Sequence, residues 1–305
     1  MELKHLHFFK RAAELEHITK AAEELSISQS FLSRTLAELQ DELGVDLFDR
    51  VGRGIALNPC GKAFYSRAEK ILNDIADAKK EVWDIHCAQE SQINVVTNVG
   101  LYMPKLFKAI SEIKPGISIS QLSAKRRSMI KMLKSGESDF AICCPPLLEE
   151  AELETEILFF ERGVIIYPEG HWLENRDEIL LEEIKDETLI SVAVGFGTRD
   201  ALEEYFKMKN THPRIALETG DTSSLFNYVA LGLGIAALPY SIVLDHPVFQ
   251  NRWVSVVDES GALGSRLSIS WRKTLYMSET AKMFIGKAKE YFSEINGRSE
   301  PKGRE

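Results

Sequence analysis

SQSFLSRTLAEL, residues 28–39, sets Ser, Gln, Ser, Ser and Arg around the start of a helical pattern and holds no acid before Glu38. The chain around it is acidic, with a formal net charge of −9. Leu32, Leu36, Leu39 and Leu43 recur at spacings of 4, 3 and 4, which at about 100° per residue gathers them into one narrow stripe. Ser30, Ser33, Arg34 and Ala37 project to the other side, and Gln29 stands at the exposed N-terminal end. Ser28 is placed to cap this helix and Gly44 to stop it.

Upstream, Leu6, Phe9 and Ala13 share one helix face with Leu3 beside it, and Thr19 reads as the N-cap of a shorter helix, KAAEEL. Ser26-Ile27-Ser28 is then a tight connection, and two helices joined so closely form a helix-turn-helix. Downstream, LFDR and IALN are short extended pieces around the turn Gly52-Arg53-Gly54, a hairpin wing with basic residues at its tip. From Leu25 to Ala37 the only ionisable residue is Arg34, and from Arg50 to Arg67 four basic residues (Arg50, Arg53, Lys62, Arg67) occur with no acid. Acids on such a face would meet phosphate repulsion. Gln and Arg read adenine and guanine edges in bidentate fashion, while Ser and backbone amides hold phosphates. A small helical bundle with an ordinary solvated face is the competing reading. The coincidence of an acid-free face with an Arg-bearing hairpin sets it aside.

HITKAAEELSISQSFLSRTLAELQDELGVDLFDRVGRGIALNPCG resembles the winged helix-turn-helix of LysR-type transcriptional regulators in its Ser-Gln pair, Ser-Arg pair, Leu-Gly at the helix end and Leu-Phe-x-Arg entering the wing. The resemblance implies DNA contacts from Gln29, Ser30, Ser33, Arg34, Arg50 and Arg53, with Thr19 and Lys20 on backbone phosphates. Phe31-Leu32 stands where small residues or Pro are common in the family, and Gln40 replaces a frequent Glu.

Asn58-Pro59 starts another helix, with Asn as cap and Pro at its first position. Phe64, Ala68, Ile71, Ile75, Ala78, Val82 and Ile85 step by 4, 3, 4, 3, 4, 3. A helix packed on its own domain also shows such a stripe, but the strict 3.5 period over three heptads favours a two-chain seam. From residue 59 to 86 the helix spans about 40 Å. The resemblance agrees, because the family's linker helix dimerises, and a two-fold pair of heads calls for an inverted-repeat site on double-stranded DNA. It implies a homodimer or homotetramer, with RNA polymerase as a further partner.

From Gln92 onward strands and helices alternate: QINVVTN, MPKLFKAISEI, ISISQLS, RRSMIKMLKSG, DFAICC, and later GVIIYP, TLISVAV, RDALEEYFKMKN, RIALET, TSSLFNYVALG and GIAALP. Alternation at this pitch predicts α/β with largely parallel sheets. RLSISW and SETAKMFIGKAKEYF return to complete the first part. The domains expected are a winged helix-turn-helix over 1–58, a linker helix over 59–88 and an effector-binding domain over 89–297. Its lobe I takes 91–162 plus 263–295 and its lobe II 163–262, leaving 298–305 as a disordered tail. SGESDFAI and GLGIAALP resemble signatures of the family's effector domain, which is similar to periplasmic binding proteins. Ligands of such folds sit at strand C-termini and helix N-termini between the lobes. Those positions here are Thr97, Asn98, Val99 and Gly100; Phe196, Gly197, Thr198 and Arg199; and Thr222 with Ser223. Lys125-Arg126-Arg127 makes one helix start strongly basic, and two readings stand: a site for an anionic effector, and a solvated helix end.

Four cysteines, Cys60, Cys87, Cys143 and Cys144, lack paired ligand spacing and fit a reducing compartment rather than a disulfide scaffold or zinc site. No run of about 18 apolar residues occurs and the N-terminus is studded with charges, so no membrane span or signal peptide is expected, and the chain reads as cytoplasmic. GFGTR at 195–199 lacks a dinucleotide fingerprint, and no GxSxG, HExxH or P-loop occurs. No enzyme, cofactor or metal is expected, only a small-molecule effector. The alternative is a solute-binding or ligand-transforming α/β protein whose N-terminal module binds protein.

Overall fold

The computed structural model describes residues 1–298 except 53, 87–91, 196, 209, 211, 213 and 258–263. The disordered tail was expected over 298–305, but Arg298 ends the last helix, and 299–305 and the wing residue Arg53 lie outside the described residues. The chain divides into two compact units, Met1–His86 and Cys87–Glu305.

The first unit is α1 (Leu3–Leu15), α2 (Ile18–Glu24), α3 (Gln29–Leu43), β1 (Phe48–Val51), β2 (Gly54–Leu57) and α4 (Pro59–His86). Its core gathers Leu6, Phe9, Leu32, Leu36 and Leu39 with Leu47, Ala68 and Leu72. Two expectations need correction here. Leu43 ends the leucine stripe exposed, because the helix stops at Gly44 (φ 71) and turns away. Thr19 does not cap α2. His17 does, extended at φ −151 with its imidazole accepting from the Lys20 N–H, so Thr19 is already helical. Ser28 caps α3 as expected, its hydroxyl accepting from the Phe31 N–H at 3.2 Å. Gln40 ties the end of α3 to the wing, because its side-chain carbonyl accepts from the Leu47 N–H at 2.8 Å. The hairpin β1–β2 is antiparallel, Phe48 opposite Leu57.

Asn58 accepts from the Gly61 N–H and donates to the Asp46 carbonyl, both at 2.8 Å. Gly61 is required by close approach, since a Cβ there would lie 2.0 Å from the Leu47 carbonyl oxygen. The apolar stripe of α4 divides. Phe64 and Ala68 pack into the head of their own chain, joined by Tyr65 and Leu72, whereas Ile71 and Val82 are 41% and 67% exposed. Ile75 is half-buried and Ala78 exposed. The first part of the stripe is therefore an intrachain contact, and a two-chain seam is left with Ile71 onward. The side chain of Ile85 lies outside the described residues.

The second unit begins with β3 (Gln92–Thr97), α5 (Met103–Ile113), β4 (Ser118–Ser123), α6 (Arg126–Lys134) and β5 (Phe140–Cys143). It continues through β6 (Leu153–Ile166), β7 (Glu178–Ile179), β8 (Leu189–Val192), α7 (Gly197–Met208), β9 (Ile215–Thr219) and α8 (Thr222–Ala230). β10 (Ala236–Pro239), α9 (Tyr240–Leu244), β11 (Trp253–Val256), β12 (Gly264–Arg272) and α10 (Glu279–Arg298) complete it. The main sheet runs β4-β3-β5-β12-β6-β11-β7, with β10 also on β6 and β8-β9 as a separate pair.

Largely parallel sheets were expected, and the centre corrects that. β3 pairs parallel with β4 and β5, and β8 with β9, but β12 lies antiparallel between β5 and β6. The long strand β6 is the spine. Its Leu153–Arg162 part pairs with β12, and from Gly163 it pairs with β10 and β11. The first half packs with α5 and α10 around Phe140, Phe159, Phe284 and Phe292 (lobe I), and the second half with α7 and α8 around Phe206 and Phe226 (lobe II).

Candidate nucleic-acid interface and effector cleft

On α3, Gln29, Ser30, Arg34 and Ala37 are exposed and Ser33 is half-buried. The face is internally ordered. Gln29 donates its amide to the Ser33 hydroxyl at 3.0 Å, and the Ser28 and Ser30 hydroxyls share a bond at 3.2 Å. Arg34 keeps its side chain 68% exposed, 3.7 Å from the Glu38 carboxylate. Its guanidinium lies 5.6 Å from the centre of the Phe31 ring, and that ring sits edge-on against Phe8 at 6.1 Å. Phe31, a departure from the family pattern in sequence, thus lies beneath Arg34 and against Phe8, a contact that sequence reasoning missed. Such a cation–ring contact is worth about 0.5–1 kcal/mol at an exposed site. Thr19 and Lys20 are exposed at the start of α2 and Arg50 on β1.

In the second unit the expected effector residues split by what their side chains do. The Thr97 hydroxyl donates to the Ile142 carbonyl at 2.7 Å and accepts from the Val99 N–H at 3.0 Å. Asn98 grips the Cys144 backbone from both sides, donating to its carbonyl at 2.7 Å and accepting from its N–H at 3.1 Å. Both side chains are buried and engaged in joining β3 to the end of β5. Val99 and Gly100, half-buried ahead of α5, offer backbone instead.

The start of α6 in lobe I lies against the turn that leads into α7 of lobe II. Lys125, exposed at the start of α6, lies along Gly195, where a Cβ would come within 3.2 Å of the lysine Cγ and Cδ. Gly195, at φ 94, donates its N–H to the Asp200 carboxylate at 2.9 Å. Burial pushes the Asp200 carboxyl up, while that N–H, Arg126 and Arg199 act to lower it. Arg126 donates to the Pro145 and Pro146 carbonyls at 3.1 and 2.9 Å. Arg199 is buried and held by Glu203 at 2.7 Å, with Glu218 3.8 Å from its Nη1. That Nη1 is buried without a hydrogen-bond partner, whereas Lys125 is an expected cation that stands exposed. Thr222 opens α8, capped by Asp221, whose carboxylate accepts from the Ser224 N–H at 2.7 Å. Phe196 and the side chains of Gly197 and Thr198 lie outside the described residues.

Cys143 and Cys144 are buried and Cys60 is exposed. Burial pushes the Cys143 thiol up to about 11, the opposite of what a reactive thiolate needs. Among the described residues no cluster of His, Cys, Asp and Glu is arranged for a metal, and no helix is long and apolar enough to cross a membrane.

Two family descriptions match the chain: a bacterial regulatory helix-turn-helix protein of the lysR family over residues 3–62, and a LysR substrate binding domain over 90–293. The chain belongs to the LysR family of DNA-binding transcriptional regulators, each an N-terminal helix-turn-helix with an effector-binding domain. It is 30% identical over 297 residues to YybE of Bacillus subtilis, described as an uncharacterized HTH-type transcriptional regulator, covering 96% of this chain and 100% of that one. In fold it is similar to a full-length OxyR variant from Pseudomonas aeruginosa (TM-score 0.68, 22% identity, 96% and 97% of the two chains). It is also similar to full-length CbnR, a structure solved with its target DNA (TM-score 0.55, 20% identity, 96% and 100%).

Proposed function

We propose that the chain acts in the cytoplasm as a one-component regulator. A homodimer, or a tetramer made of two such dimers, reads an inverted repeat through Gln29, Ser30, Ser33 and Arg34, with Thr19, Lys20, Arg50 and Arg53 on phosphates. Ile71, Ile75, Ala78 and Val82 form the pairing seam. A small carboxylate- or phosphate-bearing effector binds between the lobes and biases DNA binding or contact with RNA polymerase by favouring one lobe arrangement. The observation that carries the effector reading is Lys125 of lobe I lying along Gly195 of lobe II, a cation set where helix N-termini from both lobes meet.

A panel of small carboxylates and phosphates, scored by the rise in Tm of the full chain, tests this reading. An effector present at 100 times its Kd stabilises by about 2.7 kcal/mol. The expected result is a class of anions that raises Tm in the wild type and fails with Lys125→Ala. Equal stabilisation of both proteins would remove Lys125 from the site.

A further inference from the structure

Glu161 lies on β6 two residues before the strand changes partners at Gly163, and it is only 4% exposed. Its carboxylate collects donors from both lobes. The phenol oxygen of Tyr102, in the turn ahead of α5, lies 2.9 Å from Oε2. The hydroxyl oxygen of Ser241, in α9, lies 2.8 Å from Oε2, and the Ser241 backbone N–H donates to Oε1 at 3.1 Å. The Ser241 hydroxyl also lies 3.3 Å from the Tyr102 oxygen. Acid, phenol and alcohol therefore close a ring of hydrogen bonds across the hinge.

This ring can hold an extra proton. Hydroxyls accept as readily as they donate. A protonated Glu161 gives its O–H to the Tyr102 or Ser241 oxygen while the Ser241 N–H stays on Oε1. Burial pushes the Glu161 carboxyl up, against bonds from Ser241, Tyr102 and the Tyr240 backbone that lower it. Those donors are all neutral. Burial also raises the Tyr102 phenol, with Cys144 beside it. Arg162 on β6 and Arg266 on β12 are exposed. A cavity of about 600 Å³ reaches the ring, with Tyr102 and Ser241 in its wall. Its ionisable lining is Lys105 of α5 paired with Asp245 after α9, His246, and Tyr291 and Glu294 of α10. That cavity gives water and protons a route.

We propose that Glu161, Tyr102 and Ser241 form a proton-sensitive latch on the hinge, which holds the two lobes in the arrangement seen here while Glu161 is protonated and loosens as it ionises. A solvated glutamate in an opened hinge loses its proton at lower pH than the buried one. The latch is thus fully effective below the ordinary glutamate range and is lost as pH rises through the raised value.

Trp253 packs its ring 4.8 Å from that of Tyr240, the neighbour of Ser241, so a 5-fluorotryptophan there reports on the latch by NMR, assigned with Trp253→Phe. Nitroxides at the exposed Lys282 of lobe I and Lys207 of lobe II report lobe separation in the full chain, with Cys60 and Cys87 replaced by Ser. As pH rises above the free carboxyl range of about 4, the fluorine shift and the distance distribution of the wild type are expected to move together with one midpoint. Glu161→Gln is expected to abolish both transitions and stay in the low-pH state, because its amide donates where the acid did. Ser241→Ala, which keeps the acid, is expected to move the midpoint. Transitions that persist in Glu161→Gln would place the proton elsewhere and overturn the latch. A wild type without a transition, or a fluorine transition with constant lobe separation, would make Glu161 structural only.

Discussion

In the proposed reading Arg34 carries base recognition, and the Phe31 ring beneath it limits how freely it searches. The ring restricts the guanidinium before DNA arrives, so less rotamer freedom is lost on binding. Phe31→Leu keeps an apolar side chain against Phe8 but removes the ring face, and stability should change by less than about 1.5 kcal/mol. Preference at the base read by Arg34 should fall by about 0.5–1 kcal/mol, measured as relative Kd on single-base variants of the site. An equal weakening on every variant would make Phe31 a packing residue alone. Neither role was legible in the sequence, where Phe31 stood out only as a departure. Thr97 and Asn98 show the same limit. Each looked free at a strand end, but Asn98 spends its amide on Cys144, 46 residues away, and spacing along the chain cannot reveal such a partner.

Elements with one strong period were readable. α3 follows its leucine pattern up to Leu39 and α5 buries Met103, Leu106 and Ile110, and Ser28, Gly44 and Asn58 cap where their chemistry predicts. β6 was half missed: GVIIYP announced its buried end, but LETEILFF mixes acids with apolar residues because that stretch has one open face. α4 shows a subtler limit. A 3–4 stripe does not say whose surface it meets, and here its first part meets its own head. Val82→Asp should leave the helical signal intact and convert the dimer to monomer in sedimentation. Ala68→Asp should instead unfold the head, since it buries a charge in the core. A Val82→Asp protein that stays dimeric would refute the seam. Gly61→Ala forces a methyl onto the Leu47 carbonyl and should cost about 1–3 kcal/mol, the range for overpacking, read from urea unfolding of the head. A cost near zero would show that α4 can shift.

At the scale of the whole molecule, a chain of net charge −9 is proposed to bind a polyanion, and the resolution is local. The acids stay off the start of α3 and off the stretch from Arg50 to Arg67, so the charge that matters is a patch rather than a total. The two-domain plan was legible because each half has its own periodicities and family signatures. The hinge was not, because Glu161 reads in sequence as a polar break in FERG and acquires its meaning only when Tyr102 and Ser241 fold onto it.

The claim that this patch reads DNA is tested most directly by selecting binding sites from random sequence. Wild type and Ser33→Ala/Arg34→Ala are then titrated with salt on the selected fragment. The account predicts an inverted repeat, with log K falling steeply and linearly in log salt at about 0.9 per phosphate contacted, and loss of preference for that repeat in the double variant. A folded protein that selects no sequence and shows no salt-dependent binding would contradict it.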